Sequence, residues 1–311
     1  MSIDPSGPHP TGAAGRPWTI TPVGVDHYEN FPVASWLCPP AWRPAVAAIY
    51  HFARTADDIA DEGVARPAQR IAQLDDFEAA LRDAADGRVD GAWPEVFGPL
   101  ARQMRAHDLP LAPFIDLLSA FRQDTGNPLY PDRAALLDYC ARSANPIGRL
   151  LLRLAHVDER EAQARSDAIC SALQLINFWQ DLSIDLPRGR CYLPLAEVAA
   201  AGLVLDELQP GADSDASRAL VRELCLWSRE LMAQGTPLVH RLPGRFGWEL
   251  RLVVQGGLRV LDKIERSGFN ALSLRPTLGL ADTPRLAWRA LRMGHAPRGP
   301  VAGEERRQAL R

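Results

Sequence analysis

Three aspartates, Asp57, Asp58 and Asp61, stand close together in the stretch RTADDIADEG (residues 54–63), with Arg54 one turn ahead of the first. A second set, Asn177, Asp181 and Asp185, lies in QLINFWQDLSID (residues 174–185). Both sets are spaced for one face of a helix. Asp57 and Asp61 are i, i+4, with Asp58 on the flank, and the second set rises i, i+4, i+8. Ile49, Tyr50 and Phe52 precede the first ladder, and Leu173, Leu175, Ile176, Phe178 and Trp179 surround the second. A single acidic cluster reads equally well as a charged helix end. Two ladders on apolar helices do not, because burying uncompensated carboxylates is costly.

A divalent cation removes that cost. Ligands that are all oxygen, with no histidine or cysteine among them, favour a hard ion, Mg²⁺ first and Mn²⁺ second. Mg²⁺ held by few carboxylates keeps coordination sites for water and phosphate, so two ladders facing each other would clamp a diphosphate. Directly after the second ladder comes LPRGRCYLP, in which Pro187 stops the helix and Arg188, Gly189 and Arg190 make a basic turn ahead of Tyr192. Such a loop suits closure over phosphates, with an ordinary Pro/Gly connector as the alternative.

The elements that must position these residues read as helices throughout. Pro44 sits where a first helical turn tolerates it, and Ala45, Ala48, Ile49, Phe52 and Ala53 then form an apolar stripe leading into the first ladder. Amphipathic segments follow at 67–87, 94–109, 112–126, 132–156, 159–185, 215–235 and 245–268. Pro146 and Gly148 fall inside the 132–156 run, where a kink or interruption is expected. The one β-leaning patch, LRLVVQ, is better explained as the buried face of a helix. With no alternating strands and no repeat, the expectation is an all-α fold in a single domain over residues 23–293, with disordered segments at 1–22 and 294–311.

Composition narrows the function classes. A net charge of -3 gives no electrostatic case for nucleic acid. The basic residues are nearly all arginine, Lys263 being the only lysine, so a single arginine carries little functional weight. The cysteines, Cys38, Cys140, Cys170, Cys191 and Cys225, are odd in number and never in a CxxC pair, as expected of free thiols in a reducing, cytoplasmic setting. No signal peptide is evident, and no apolar run approaches the ~18 residues of a membrane span. PRLAWRALRM (residues 284–293) is a short basic amphipathic stretch around Trp288, the place where peripheral membrane contact is expected if there is any. No Gly-rich dinucleotide fingerprint follows a strand, so no NAD(P)H use is predicted.

Taken as a pair, YHFARTADDIAD and QLINFWQDLSIDLPRGRCYLP resemble the squalene/phytoene synthases, head-to-head prenyl synthases of the all-α isoprenoid-synthase fold with a central cavity. The resemblance runs from about His27 to about Arg275. It implies metal-binding roles for Asp57, Asp61, Asn177, Asp181 and Asp185, a catalytic place for Asp58, and diphosphate or substrate contacts at Tyr50, Arg54 and Gln174. The early substrate-contacting segment falls on HYENF, naming His27, Asn30 and Phe31, and the YCxxxAxxxG region falls on Tyr139, Cys140, Ala144 and Gly148.

Departures from the family pattern narrow the resemblance. Gln180 stands where many members carry arginine, SANPIG replaces a VAGTVG-like stretch, and Gly256–Gly257 stand where a tyrosine is common. ENFPVAS, RSANPIGRLLL and NFWQDLSIDLPRGRCYLP are similar to the branch of bacterial hydroxysqualene synthases in hopanoid biosynthesis. That similarity implies ionisation of presqualene diphosphate and capture of the rearranged cation by water, beside a separate presqualene diphosphate synthase and a flavin-dependent reductase. The neutral amide of Gln180, or Tyr139, is the water-positioning group this reading suggests, with plain packing as the alternative for Gln180. The basic loop, Arg188, Arg190 and Tyr192, would close over the substrate. The alternatives are presqualene diphosphate, squalene or phytoene synthesis from two prenyl diphosphates, and a catalytically silent assembly factor of the same family.

Overall fold

The computed structural model describes residues 38–62, 64–89 and 91–293. The expected terminal segments, and with them His27, Asn30 and Phe31, lie outside the described residues. The helices are α1 (Arg43–Asp61), α2 (Pro67–Ala85), α3 (Pro94–His107), α4 (Ala112–Asp124), α5 (Arg133–Ser143), α6 (Asn145–Leu154) and α7 (Arg160–Asp185). After them come α8 (Leu195–Ala200), α9 (Asp215–Gly235), α10 (Gly244–Arg266) and α11 (Thr283–Leu291). The fold is all-α, with no strand among the described residues and one isolated bridge between Tyr130 and Pro194. LRLVVQ lies within α10, as its apolar face requires.

Apolar side chains gather into two clusters that follow chain order. One is built by α1 to α4 with Leu150 and Leu154 of α6; the other surrounds α7 with α5, α9 and α10. Trp42 and Leu151 pack against both. In the first cluster Phe52 is fully buried, stacked on Phe77 at 5.3 Å and edge-on to Phe114 at 5.1 Å. Committing Phe52, Ala56 and Ala60 to this core turns the opposite face of α1, with Tyr50, Arg54 and Asp57, toward the second cluster.

The second ladder is aimed the same way. Trp179 is fully buried, and its indole N–H donates to Ser228 Oγ of α9 at 2.8 Å. With Leu175, Phe178, Trp179 and Leu182 inward, Asn177, Asp181 and Asp185 are left on the partly exposed face. Trp179→Phe removes the donor and leaves a small void, and is expected to lower stability by about 1–3 kcal/mol in a denaturant melt.

The interruption expected near Pro146 is a full break two residues earlier, at Ala144, which ends α5 and opens α6. Proline then falls in the first turn of a new helix, where its missing N–H leaves no bond unmade. Gly148 lies inside α6 and lets it close onto α7, since a Cβ there would stand 2.6 Å from Cys170 Sγ. Gly257 does the same for α10, where a Cβ would lie 2.8 Å from Leu173 Cδ2.

Candidate functional site

A chamber of about 210 Å³ opens on the seam between the two clusters. Helix α1 contributes Tyr50, Arg54 and Asp57 to its wall, α4 contributes Leu117 and Phe121, and α7 contributes Cys170, Leu173 and Gln174. Ser143, Ala144 and Ile147 line it from the α5–α6 junction. A smaller apolar chamber of about 80 Å³ lies between α6, α7 and the first half of α10, and shares Ile147, Cys170 and Leu173 with the first. One end of the space is thus polar and charged, and the remainder is mostly apolar, with Ser166 and Glu249 on the wall of the smaller chamber.

Four of the carboxylates, three on α1 and one on α7, are paired with arginines. Arg54 pairs with Asp57 at 3.3 Å and Asp58 at 2.8 Å, Arg190 with Asp61 at 2.7 Å, and Arg275 with Asp181 at 2.5 Å. Gly189 adopts φ 75° in the turn after α7, a left-handed conformation that glycine accepts without strain, and so brings Arg190 back to α1. Backbone bonds from Leu195 N to Tyr130 O and from Ala196 N to Pro131 O anchor the far end of this loop. Arg188 is exposed but lowers the proton affinity of Asp185. Tyr192 stacks flat on Phe178 at 3.9 Å, in a ring cluster with Tyr130 and Tyr139.

Asp124, not singled out by the sequence, belongs to this site. It accepts a hydrogen bond from the Tyr139 hydroxyl at 2.8 Å, while its Oδ1 is buried with no hydrogen-bond partner among the described residues. Burial, with Asp61 and Asp57 adding to it, pushes its carboxyl up to about 7, against the opposing pull of Tyr139 and Arg190. Asp185 is pushed up to about 6 by burial and by Asp181, opposed by Arg190, Arg188 and Arg275. Tyr139 is held well above its ordinary value by burial and by Asp124. Asp61, Asp124 and Asp185 are also the last residues of α1, α4 and α7. Helix carboxyl ends carry partial negative charge and disfavour aspartate, so three of them with three carboxylates around Arg190 make a focus of negative potential.

That focus fits a hard cation. Its donors are carboxylates and an amide, its carboxyls are pushed toward protonation by one another, and the ion pairs holding them are partly exposed and individually weak. Among the described residues no three acidic, histidine or cysteine side chains converge on one point. A cation here would take carboxylates in ones and twos, with water or phosphate completing its shell.

The structure places the remaining named residues as follows. Gln174 lines the main chamber beside Tyr50 and Arg54. Gln180 is buried, and its amide nitrogen donates to Pro276 O at 2.8 Å, which sets Arg275 next to Asp181. Asp58 sits on the flank, paired with Arg54. Arg275 joins Asp124 as a site residue without a signal in local spacing; the aspartate at the end of α4, against the helix dipole, is the one anomaly that points to Asp124.

The raised carboxyl of Asp124 has a measurable consequence. Its folded form binds a proton more tightly than the unfolded chain, so the stability it contributes is full below about pH 4 and is lost as pH rises through about 7. Asp124→Asn is expected to flatten the fall in stability between about pH 5 and 8, and to be more stable than wild type at the upper end by about 1–4 kcal/mol. Asp185 contributes a slope of the same sign, so part of the fall persists. Chemical melts in chelator-containing buffer check this, and an unchanged slope would refute it.

The squalene/phytoene synthase family profile matches residues 25–291. The hydroxysqualene synthase of Sinorhizobium fredii is 32% identical over 76% of this chain and 78% of its own. That of Rhodopseudomonas palustris is 34% identical over 72% of this chain and 75% of its own. The crystal structure of squalene synthase HpnC from Alicyclobacillus acidocaldarius superposes with a TM-score of 0.72 at 35% identity, covering 78% of this chain and 90% of that one.

Proposed function

The chain belongs to the squalene/phytoene synthase family, and on that premise we propose that it converts presqualene diphosphate and water to hydroxysqualene and diphosphate. The observation that carries this choice among family reactions is the likeness to hydroxysqualene synthases over about three-quarters of each chain. The reaction is a carbon–oxygen bond cleavage, a lyase chemistry, followed by capture of a carbocation.

Asp57, Asp61, Asn177, Asp181 and Asp185 are the residues that would hold Mg²⁺, or Mn²⁺ as the second choice, and the ion would supply positive charge where the diphosphate leaves. The chain's own cations act on the same charge. Arg54 at the chamber wall, and Arg190 and Arg275 on the two ladders, exchange weak ion pairs with carboxylates for bonds to phosphate oxygens as substrate enters, and the neutral hydroxyl of Tyr50 on the same wall donates to those oxygens. Asp58 tethers Arg54, and Arg188 stands outside Arg190 on the same turn. The apolar wall around Leu117, Phe121, Ile147 and Leu173 holds the hydrocarbon and keeps bulk water from the cation. A hydroxylated product needs no hydride, in keeping with the missing dinucleotide fingerprint.

Substrate would come from a presqualene diphosphate synthase, and product would pass to a flavin-dependent reductase. Both are lipids. Helix α11 exposes Trp288 (56%) and Leu291 (62%) beside Arg285 and Arg292, a composition suited to a membrane surface. Among the described residues no helix is long and apolar enough to cross a bilayer.

Incubation with Mg²⁺ and presqualene diphosphate, without NADPH, is expected to give hydroxysqualene and diphosphate. Turnover of farnesyl or geranylgeranyl diphosphate in its place would move the reading to the condensing members of the family. Absence of diphosphate release from all three would mark a silent family member.

A further inference from the structure

Between α10 and α11 the chain passes the second ladder without regular structure. Residues 274–279 belong to no helix, and among the described residues none of 275–278 makes a backbone–backbone hydrogen bond. Such a segment is ordered only by what other elements supply.

Here side chains supply it. Upstream, Asp213 accepts from Leu272 N at 3.2 Å and from the Ser273 hydroxyl. In the middle, the Gln180 amide nitrogen donates to Pro276 O at 2.8 Å, so the group that the sequence suggested for orienting water is committed to this strap. Lys263 of α10, the only lysine of the chain, donates to Thr277 O at 2.5 Å and to Asp282 Oδ2 at 2.6 Å. Asp282 closes the downstream end. It is buried, and it also accepts from Arg259 Nε at 2.8 Å and from Gly279 N at 3.0 Å.

The consequence falls on Arg275. Its backbone directly precedes the two pinned carbonyls, and its guanidinium reaches Asp181 at 2.5 Å. The side chain is long and 45% exposed, so only a fixed base directs it onto one ladder. Lys263 and Asp282 line neither chamber, yet the bonds that fix this base run through them.

We propose that Lys263 and Asp282 are positioning residues for diphosphate binding, acting through the 275–282 strap to hold the Arg275 guanidinium at the second ladder. The inference rests on the metal–diphosphate reading of the site. Asp282 ties two successive turns of α10, at Arg259 and Lys263, to the strap, and Lys263 extends that tie to Thr277. With the tie cut, Arg275 spends only part of its time at the ladder, and its share of phosphate binding falls accordingly.

The test uses the full chain with Mg²⁺ and inorganic diphosphate as the probe, read by calorimetry, with kcat and KM for presqualene diphosphate measured beside it. Lys263→Met, which keeps the aliphatic stem, and Asp282→Asn are each made with Arg275 present and with Arg275→Ala. With Arg275 present, both are expected to weaken diphosphate binding and raise KM about five- to tenfold, while kcat stays within about threefold. With Arg275→Ala, the same substitutions are expected to change the dissociation constant by less than about twofold, because the group they position is gone. Lys263→Met leaves Asp282 its bonds to Arg259 and Gly279, so it serves where Asp282→Asn fails to fold, and circular dichroism establishes its fold. An equal loss in both arginine backgrounds, or an unchanged dissociation constant in Lys263→Met, overturns the proposal. Wild type that binds no inorganic diphosphate with Mg²⁺ overturns the metal–diphosphate reading, and the inference with it.

Discussion

Replacing Asp57 and Asp61 together by alanine is expected to cut diphosphate release from presqualene diphosphate by about a thousandfold or more at saturating Mg²⁺. The reason is charge at the departing group. Asp57 lines the chamber and Asp61 follows it one turn on along α1, and both are held by guanidinium groups, Arg54 and Arg190. Taking them away leaves two arginines to attract diphosphate and removes two of the five donors that would hold the metal. Substrate binding therefore falls less than turnover, and the two should be measured apart. Asp58→Ala is the internal control: it sits off the ladder face and loses a pairing with Arg54, so its effect should stay near tenfold or below. Near-normal turnover in the double variant would end the metal–diphosphate reading of this site.

The second large effect is expected at Arg190. Its guanidinium meets Asp61 at 2.7 Å and also opposes the burial of Asp124 and Asp185, so one side chain balances three helix ends. Arg190→Ala should lower kcat/KM by about 10²–10³, and Arg190→Lys should recover only part, because an ammonium restores the charge without the planar fork. The acid limb of the pH profile gives a second readout. With the opposing cation gone, Asp185 and Asp124 hold protons to higher pH, so activity that needs them ionised appears later as pH rises. A loss of activity with an unmoved acid limb would mean that Arg190 serves the phosphates alone.

The ladders were legible in the sequence because their information is local: a spacing of four on an apolar helix states which face they share. Arg190 was legible for a similar reason, lying in a Pro/Gly turn right after the second ladder. The α5–α6 break was half legible, since Pro146 marks a disturbance but the residue that breaks is Ala144. Asp124 and Arg275 were not. Arg275 is unremarkable among its neighbours, Asp124 carries only the signal of an aspartate at a helix carboxyl end, and each gains its meaning from what the fold sets against it, Asp181 and Tyr139 respectively. Gln180 shows the converse case. Its chemistry was visible, but its amide donates to a backbone carbonyl supplied by residue 276, from the far side of α10 in the chain.

The seam between the two apolar clusters also orders events in time. The first cluster draws almost wholly on residues before α5, and residues 62–176 separate the two ladders along the chain. A ribosome therefore releases the segment carrying Asp57 and Asp61, with most of the side chains that bury Phe52, before the partner ladder has been made. The site is a long-range contact in a protein otherwise rich in local helical ones, so closing it belongs to the late, slow part of folding. Intermediates with one cluster formed would display a half-built, strongly acidic face, and divalent ions or polyamines in the refolding medium would act on that species first.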